Sequence, residues 1–228
     1  MKRCFDLLAA GVGLLVLIPL LLLISVAVAV SSGWPVFFRQ ARVGFRGRDF
    51  CLLKFRTMEP KREGQRTDES SFEIGCTRRV TPIGRFLRRT KLDELPQLWN
   101  VVRGDMSLVG PRPEVRQWVR AYPERWAIVH SVRPGITDYA AMEFHHEEEL
   151  LAQSPDPEKS YREEILPRKL DLYAEYVRNR SFRGDLAILF KTVWVVIRGN
   201  AQGAKCEGRQ VKGSREPQAE KQRTEVGK

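Results

Sequence analysis

The chain has 228 residues, a length that suits one compact domain with short appendages. Its 39 lysines and arginines outnumber its 28 aspartates and glutamates, and the formal net charge of +11 favours an anionic partner such as a phosphate, a nucleic acid or an acidic lipid. The four cysteines are scattered without a C-x-x-C pair, which argues against a zinc site or a disulfide framework and favours a reducing, cytosol-facing domain.

The first predicted element is an uncharged apolar run, residues 7–30. As a helix it would be about 36 Å long, enough to cross a hydrocarbon core of about 30 Å. Pro19 lies in the middle, where it removes a backbone hydrogen bond and kinks or breaks a helix. Basic residues flank the run on both sides, so the positive-inside rule draws both ends toward the cytoplasm. A spanning helix and a re-entrant hairpin bent at Pro19 both remain open.

Two short strands and a loop are predicted next. Residues 36–38 and 50–53 are apolar and lie on either side of a turn signal at 44–47. Residues 61–71 are polar and charged, which is typical of a loop.

Amphipathic helices are predicted after the loop. Ile83, Phe86 and Leu87 share one face of a basic helix. A second helix, with Thr90 as its N-cap, continues to Val102. It would hold Asp93 and Glu94 in its first turn, off its apolar stripe.

The C-terminal half is also predicted to be mostly helical. Residues 114–129 indicate a helix with a break at Pro123, and residues 166–178 indicate an amphipathic helix. Residues 185–198 are apolar but too few to span a membrane, so they suit an interfacial or a core helix. The fold class is therefore an irregular, helix-rich α/β or α+β domain that rests on a membrane.

Two pairs of charged residues are candidates for chemistry. Lys54 and Arg56 would project from the same face of a strand, as a diphosphate-binding pair would, although a solvated edge strand gives the same pattern. Asp93 and Glu94 are adjacent carboxylates in an arginine-rich region, so they should remain ionised and could bind a divalent metal. They could equally serve only to complement a helix dipole.

Two arginines are held next to prolines. Arg112 lies between Pro111 and Pro113, and Arg133 directly precedes Pro134. The fixed φ of proline orders these loops, and a preorganised phosphate or nucleotide contact needs that order.

Four motifs occur together: KFRTM at 54–58, LDELPQLWNV at 92–101, GDMSLVGPRPE at 104–114 and RPGIT at 133–137. In this order they resemble the bacterial sugar transferase family, the small monotopic phosphoglycosyl transferases. The resemblance extends from the N-terminal apolar run to about Arg198. It implies a re-entrant membrane helix at 1–35 with its break at Pro19, and a catalytic domain at 36–198 with interfacial amphipathic helices. It also implies that the catalytic domain lies on the cytoplasmic face of a bacterial inner membrane. Residues 199–228 are almost free of apolar clusters and are predicted to be a disordered tail.

The resemblance also implies a reaction. Asp93 would attack the β-phosphate of a UDP-sugar, UMP would leave, and a polyprenyl (undecaprenyl) phosphate would take the sugar-1-phosphate from a phosphosugar-aspartyl intermediate. Such a reaction initiates glycoconjugate or exopolysaccharide assembly. Mg²⁺ would bind at Asp93 and Glu94, and Glu94 either holds the metal or helps to activate the acceptor. The negative charge of the diphosphate would be neutralised by Mg²⁺ and by five basic side chains. These side chains are Lys54, Arg56, Arg88, Arg112 and Arg133.

One segment departs from the family pattern. After Thr137 the family commonly continues with Gly-Trp-Ala-Gln, whereas this chain has Asp-Tyr-Ala-Ala at 138–141. The resemblance therefore does not predict which nucleotide-sugar this chain prefers.

Two other classes of function compete with an enzyme. Residues 39–91 carry a net charge of +9, which would suit a membrane-tethered module that binds nucleic acid or anionic lipid. A scaffold subunit without activity is the other alternative. Retention of both dyad carboxylates and of Arg112 favours the enzyme, for which no nucleic-acid partner is expected. The sugar, the pathway and the oligomeric state are not indicated by the sequence.

Overall fold

The structure is a computed structural model that describes residues 1–59, 79–144 and 147–194. The predicted loop at 61–71, the end of the last predicted helix and the predicted tail at 199–228 lie outside these ranges. The described helices and strands, in chain order, are as follows: α1 Lys2–Ser32, β1 Phe37–Val43, β2 Asp49–Phe55, α2 Pro82–Arg89, α3 Gln97–Arg103, β3 Ser107–Val109, α4 Arg116–Ala121, α5 Pro123–Val129, β4 Gly135–Thr137, α6 Tyr139–Glu143, α7 Glu147–Ala152, α8 Pro157–Ser160, α9 Leu166–Asn179 and α10 at 182–194. Short 3-10 turns lie at Phe45–Gly47 and Leu92–Glu94, and one π-helical turn, Tyr161–Ile165, precedes α9.

Helix α1 is helical throughout its 31 residues, with Pro19 inside it. The predicted interruption at Pro19 is therefore not found, because the missing N–H of one proline removes one hydrogen bond and leaves the rest of the helix to continue. Of the described residues, those of α1 alone form a helix long and apolar enough to cross a membrane. One face packs on the domain and the opposite face is exposed. The exposed face carries apolar residues at helical spacing: Leu8, Val12, Leu15, Val16, Leu22, Leu23, Val26 and Val30.

Both ends of α1 pack against the domain. Ala10, near the start, belongs to a buried cluster with Val101 and Met106. Val28, near the end, belongs to another with Phe55 and Leu87. Helix α1 therefore contributes side chains to two hydrophobic cores of the domain.

Two small sheets organise the loops. The predicted strand pair is confirmed as an antiparallel hairpin in which Phe37 faces Phe55 and Val43 faces Asp49. Strands β3 and β4 are parallel and lie so close that a Cβ on Gly135 would come within 2.1 Å of the Gly110 nitrogen. The loops that follow β3 and β4 therefore begin side by side.

The helix predicted to start at Thr90 is wrong in its first turn. Thr90 is the C-cap of α2, and its Oγ1 donates to the Phe86 carbonyl at 2.8 Å. Residues Leu92–Glu94 form a separate 3-10 turn, and α3 begins only after Pro96. A proline at this position lacks the N–H that a continuous helix would use, which separates the two elements.

The remaining helices follow the prediction more closely. The break at Pro123 is confirmed by the division into α4 and α5, and the amphipathic helix at 166–178 is confirmed as α9. Helix α10 is confirmed over 182–194, with Ile188 buried and Phe190 exposed. An interfacial position for these helices stays a prediction.

Candidate active site

Asp93 and Glu94 lie on the 3-10 turn between α2 and α3. The turn begins at Lys91, which has a left-handed backbone conformation (φ 58°, ψ 14°), and the Glu94 N–H donates to the Lys91 carbonyl at 3.3 Å. Both residues are buried, with exposures of 7% for Asp93 and 9% for Glu94. Two adjacent carboxylates are thus held in a short, fixed turn below the surface.

The Glu94 carboxylate is fully paired. Lys54 Nζ donates to Oε1 at 3.0 Å, Arg112 Nη1 donates to Oε2 at 3.2 Å, and Arg112 Nη2 also donates to Oε1. Burial alone would raise the pKa of Glu94, but Arg112 and Lys54 outweigh it and hold this pKa well below its usual range. Burial lowers the pKa of Lys54 despite the pairing, whereas Glu94 raises the pKa of Arg112. Glu94 is therefore ionised and fixed between two cations.

Asp93 is in the opposite situation. Its Oδ1 is buried and has no hydrogen-bond partner within residues 1–59, 79–144 and 147–194. Burial, followed by repulsion from Glu94, raises the pKa of Asp93 to about 6. A carboxylate with a raised pKa and an unpartnered oxygen is ready to bind a cation or to attack an electrophile.

Arg112 reaches the dyad from the loop after β3. Asp138, the first residue of the segment that departs from the family pattern, follows β4 and is almost completely buried. Its Oδ1 accepts a hydrogen bond from the Ala141 N–H at 2.7 Å, which caps α6, and burial raises its pKa. Glu94 and Asp138 both raise the pKa of Arg112, so this arginine lies in the field of two carboxylates.

The structure brings two of the five predicted cations, Lys54 and Arg112, into contact with the dyad. Arg56 instead donates to the carbonyls of Ser32, Gly33 and Trp34, which places it at the C-terminal end of α1. The phosphate-binding role predicted for Arg56 is not tested by this contact, but its guanidinium is engaged there.

The other two arginines make contacts of their own. Arg88 Nε donates to Thr57 Oγ1 at 2.9 Å. Arg133 Nε donates to the Gly104 carbonyl at 3.0 Å, and its guanidinium lies 5.3 Å from the centre of the Phe45 ring. Their predicted roles in phosphate binding stay predictions.

Lys91 was not among the site residues predicted from the sequence. This lysine is exposed, and its charge lowers the pKa of both Asp93 and Glu94. The only feature of the sequence that could have indicated Lys91 was its position two residues before Asp93. A left-handed backbone conformation is not expected for a lysine from its own identity or from its neighbours.

Comparison with known proteins identifies the family of this chain. A model of the family described as bacterial sugar transferase matches residues 1–199. The chain belongs to the bacterial sugar transferase family. In this family member the dyad, Lys54 and Arg112 all lie within the matched region.

Three relatives share about two fifths of the aligned residues. The chain is 40% identical over 205 residues to an undecaprenyl-phosphate glucose phosphotransferase of Komagataeibacter xylinus, covering 84% of this chain and 35% of the relative. It is 39% identical to the exopolysaccharide production protein ExoY of Rhizobium meliloti strain 1021, covering 84% and 83%. It is 38% identical to a UDP-galactose-lipid carrier transferase of Erwinia amylovora, covering 87% and 40%. The chain thus spans well under half of two of these relatives and most of the third.

The residues present fit the Mg²⁺ that the family resemblance implies, but only in part. Mg²⁺ usually binds through one or two carboxylates together with substrate phosphates and waters. The unpartnered Asp93 oxygen suits such a ligand, whereas both Glu94 oxygens are occupied by Lys54 and Arg112. No cluster of three histidines, cysteines or acids occurs within the part of the chain that the structure describes. Asp93 is therefore the better candidate for the metal ligand.

Proposed function

We propose that this sugar transferase moves a sugar-1-phosphate from a UDP-sugar to a polyprenyl phosphate, with Asp93 as the nucleophile. The observation that carries the proposal is the contrast within the dyad, where Asp93 Oδ1 has no partner in the described residues while Glu94 is paired by Lys54 and Arg112. An atom that must bond to phosphorus needs a free lone pair, which the unpartnered Oδ1 has, and a fixed position, which the 3-10 turn provides.

The reaction proceeds in two displacements. An Asp93 oxygen bonds to the β-phosphorus of the UDP-sugar, the bond from that phosphorus to the bridging oxygen breaks, and UMP leaves with the electron pair. An oxygen of the polyprenyl phosphate then bonds to the same phosphorus, and the Asp93 carboxylate is released. The products are UMP and a polyprenyl diphosphate sugar, and each half of the reaction breaks one P–O bond and forms one.

Charge is the main obstacle to this reaction, because an anion attacks an anion. Arg112 and Lys54 are held beside the dyad by Glu94 and provide positive charge there without reorganisation. Mg²⁺ held by the other Asp93 oxygen, the one that does not attack phosphorus, would neutralise part of the diphosphate charge. The role of Glu94 in this proposal is to position Arg112 and Lys54.

The contacts at the two ends of α1 support a proposal for the membrane topology. Lys2 Nζ donates to the Val109 carbonyl at 3.0 Å, and the Ser107 hydroxyl donates to Asp6 at 2.7 Å. At the other end, Arg56 binds the carbonyls of Ser32 to Trp34. Because both ends are bound to the domain that carries the active site, this supports a helix that enters the membrane, bends at Pro19 without losing its helical continuity, and has both ends on the cytoplasmic face. The exposed apolar face of α1 then lies against lipid.

Relatives of this chain are named for different sugars. The names of the relatives include a glucose and a galactose transferase. UDP-glucose and UDP-galactose are therefore the first donors to test.

One experiment tests the reaction. Full-length protein in detergent is given undecaprenyl phosphate, Mg²⁺ and each of several UDP-sugars, and the released nucleotide is identified. UMP is the expected product, and the protein incubated without acceptor should gain the mass of a sugar phosphate on a peptide that contains Asp93. Release of UDP, or turnover by Asp93→Asn close to the wild-type rate, would contradict the proposal.

A second experiment tests the topology. A cysteine-bearing tag is added before residue 1, or Trp34 is replaced by cysteine, in a chain without its native cysteines. A membrane-impermeant maleimide should label both positions in inside-out vesicles and neither in intact cells. Labelling of the N-terminal tag from outside the cell would show that α1 spans the membrane.

A further inference from the structure

The site holds two cations that are already occupied. Lys54 and Arg112 both bind Glu94, and Arg112 does so through two nitrogens. An incoming phosphate would be attracted by their charge, but it would have to compete with Glu94 for direct hydrogen bonds to them. A cation that is close to Asp93 and not paired with Glu94 would be better placed to make the first contact.

Lys91 meets this description. It lies two residues before Asp93, its N–H donates to the Arg88 carbonyl at 3.2 Å, and its carbonyl accepts from the Glu94 N–H. Its side chain is exposed, and in the described ranges no hydrogen bond or ion pair holds its ammonium group. Its charge lowers the pKa of both Asp93 and Glu94, which is consistent with an ammonium group near the two carboxylates.

The backbone of Lys91 also has an unusual conformation. Its φ of 58° is in the left-handed region, which glycine and asparagine adopt more easily than lysine. This conformation is strained for a residue with a side chain, and strained backbone is concentrated at functional sites. A lysine at this position is not what the turn itself favours, which is consistent with a functional role for its ammonium group.

We propose that Lys91 is the exposed phosphate-binding cation of this active site, which contacts a phosphoryl oxygen of the substrate next to Asp93. The ligand chemistry is a phosphate oxyanion, which either the diphosphate of the donor or the lipid phosphate of the acceptor can supply. The inference rests on the proposed function and adds to it a residue that binds substrate.

Three variants separate charge from backbone. Lys91→Asn and Lys91→Gly suit the left-handed conformation and remove the charge, whereas Lys91→Arg keeps the charge. Lys159→Asn, at an exposed lysine of α8, is the matched control for loss of one positive charge. Thermal unfolding of each variant checks that the fold is retained.

Binding is measured on full-length protein in detergent with Mg²⁺ present. The probes are UDP, which carries the diphosphate of every UDP-sugar, and undecaprenyl phosphate. Lys91→Asn and Lys91→Gly should weaken binding of one probe by about 10-fold, as expected for loss of a charge-assisted contact. Lys91→Arg and Lys159→Asn should remain within about 3-fold of wild type by the same reasoning. The probe that is affected identifies whether the donor or the acceptor supplies the phosphate.

The outcomes are distinct. Wild-type affinity of Lys91→Asn and Lys91→Gly for both probes would overturn the inference, as would an equal loss in Lys91→Arg. A wild-type protein that binds UDP but releases no UMP from any UDP-sugar would remove the proposed reaction and leave the phosphate contact in place. A wild-type protein that binds neither probe would overturn both.

Discussion

Replacing Asp93 with asparagine should abolish transfer and at the same time stabilise the folded protein. The side chain keeps its size, so the turn at Leu92–Glu94 and the pairing of Glu94 should be retained. Transfer should be lost, because an amide does not displace UMP from phosphorus. The folded protein should at the same time become more stable at neutral pH, because a buried charge without a partner for Oδ1 is removed.

The expected gain follows from the pKa of Asp93, which rises from 3.8 to about 6 on folding. Because the folded pKa lies above the unfolded value, the folded state binds the proton more tightly. Wild-type stability therefore falls as the pH rises from about 3.8 through about 6. At 1.36 kcal/mol per pH unit, the loss amounts to up to about 3 kcal/mol at pH 7. The asparagine side chain of Asp93→Asn does not ionise, so the variant avoids this loss.

Urea unfolding in detergent with EDTA, followed by tryptophan fluorescence, measures the difference between the two proteins. Asp93→Asn should be more stable than wild type by up to about 3 kcal/mol at pH 8, and the difference should shrink toward zero at pH 4. UMP release should fall by about 1,000-fold or more, as is typical when a nucleophile is removed. A variant that is less stable than wild type at pH 8, or a difference that does not change with pH, would refute the reasoning.

Three further outcomes are expected. The rate of UMP release should decline on the acid side, because Asp93 must be ionised to attack and burial raises its pKa; a rate that does not fall between about pH 7 and about pH 4 would contradict this. Glu94→Gln should lower the free energy of unfolding by about 2–4 kcal/mol, because Lys54 and Arg112 lose their carboxylate, with some relief since the Arg112 side chain is 34% exposed. Unchanged urea unfolding would count against that pairing. Asp6→Ala should lower the free energy of unfolding by about 1–3 kcal/mol, because the buried donors of β3 lose their acceptor. A thermal unfolding scan of the variant measures this loss.

Local patterns in the sequence were sufficient for much of the fold. The apolar run predicted α1, the turn signal at 44–47 predicted the hairpin, and Pro123 predicted the division between α4 and α5. Each of these depends on residues that are close in the chain. Pro96 was overlooked as a boundary because the apolar spacing from Leu92 to Val102 continues across it.

Tertiary contacts account for what the sequence did not predict. Lys54 and Arg56 stand two residues apart on an extended segment, yet Lys54 binds Glu94 and Arg56 caps the end of α1. Their difference depends on which elements lie nearby, and spacing alone carries no such information. The same holds for Lys91, whose backbone conformation is set by the turn between α2 and α3.

The two dyad carboxylates have opposite pKa shifts although they are neighbours in the chain and almost equally buried. Glu94 meets Lys54 and Arg112, so its charge is compensated, whereas Asp93 Oδ1 meets no hydrogen-bond partner among the described residues. Environments that separate the pKa values of two adjacent acids usually assign them different roles. The compensated acid is suited to hold cations in place, and the uncompensated one is suited to gain a new bond. The burial that makes Asp93 costly to ionise is therefore also what makes it the better nucleophile.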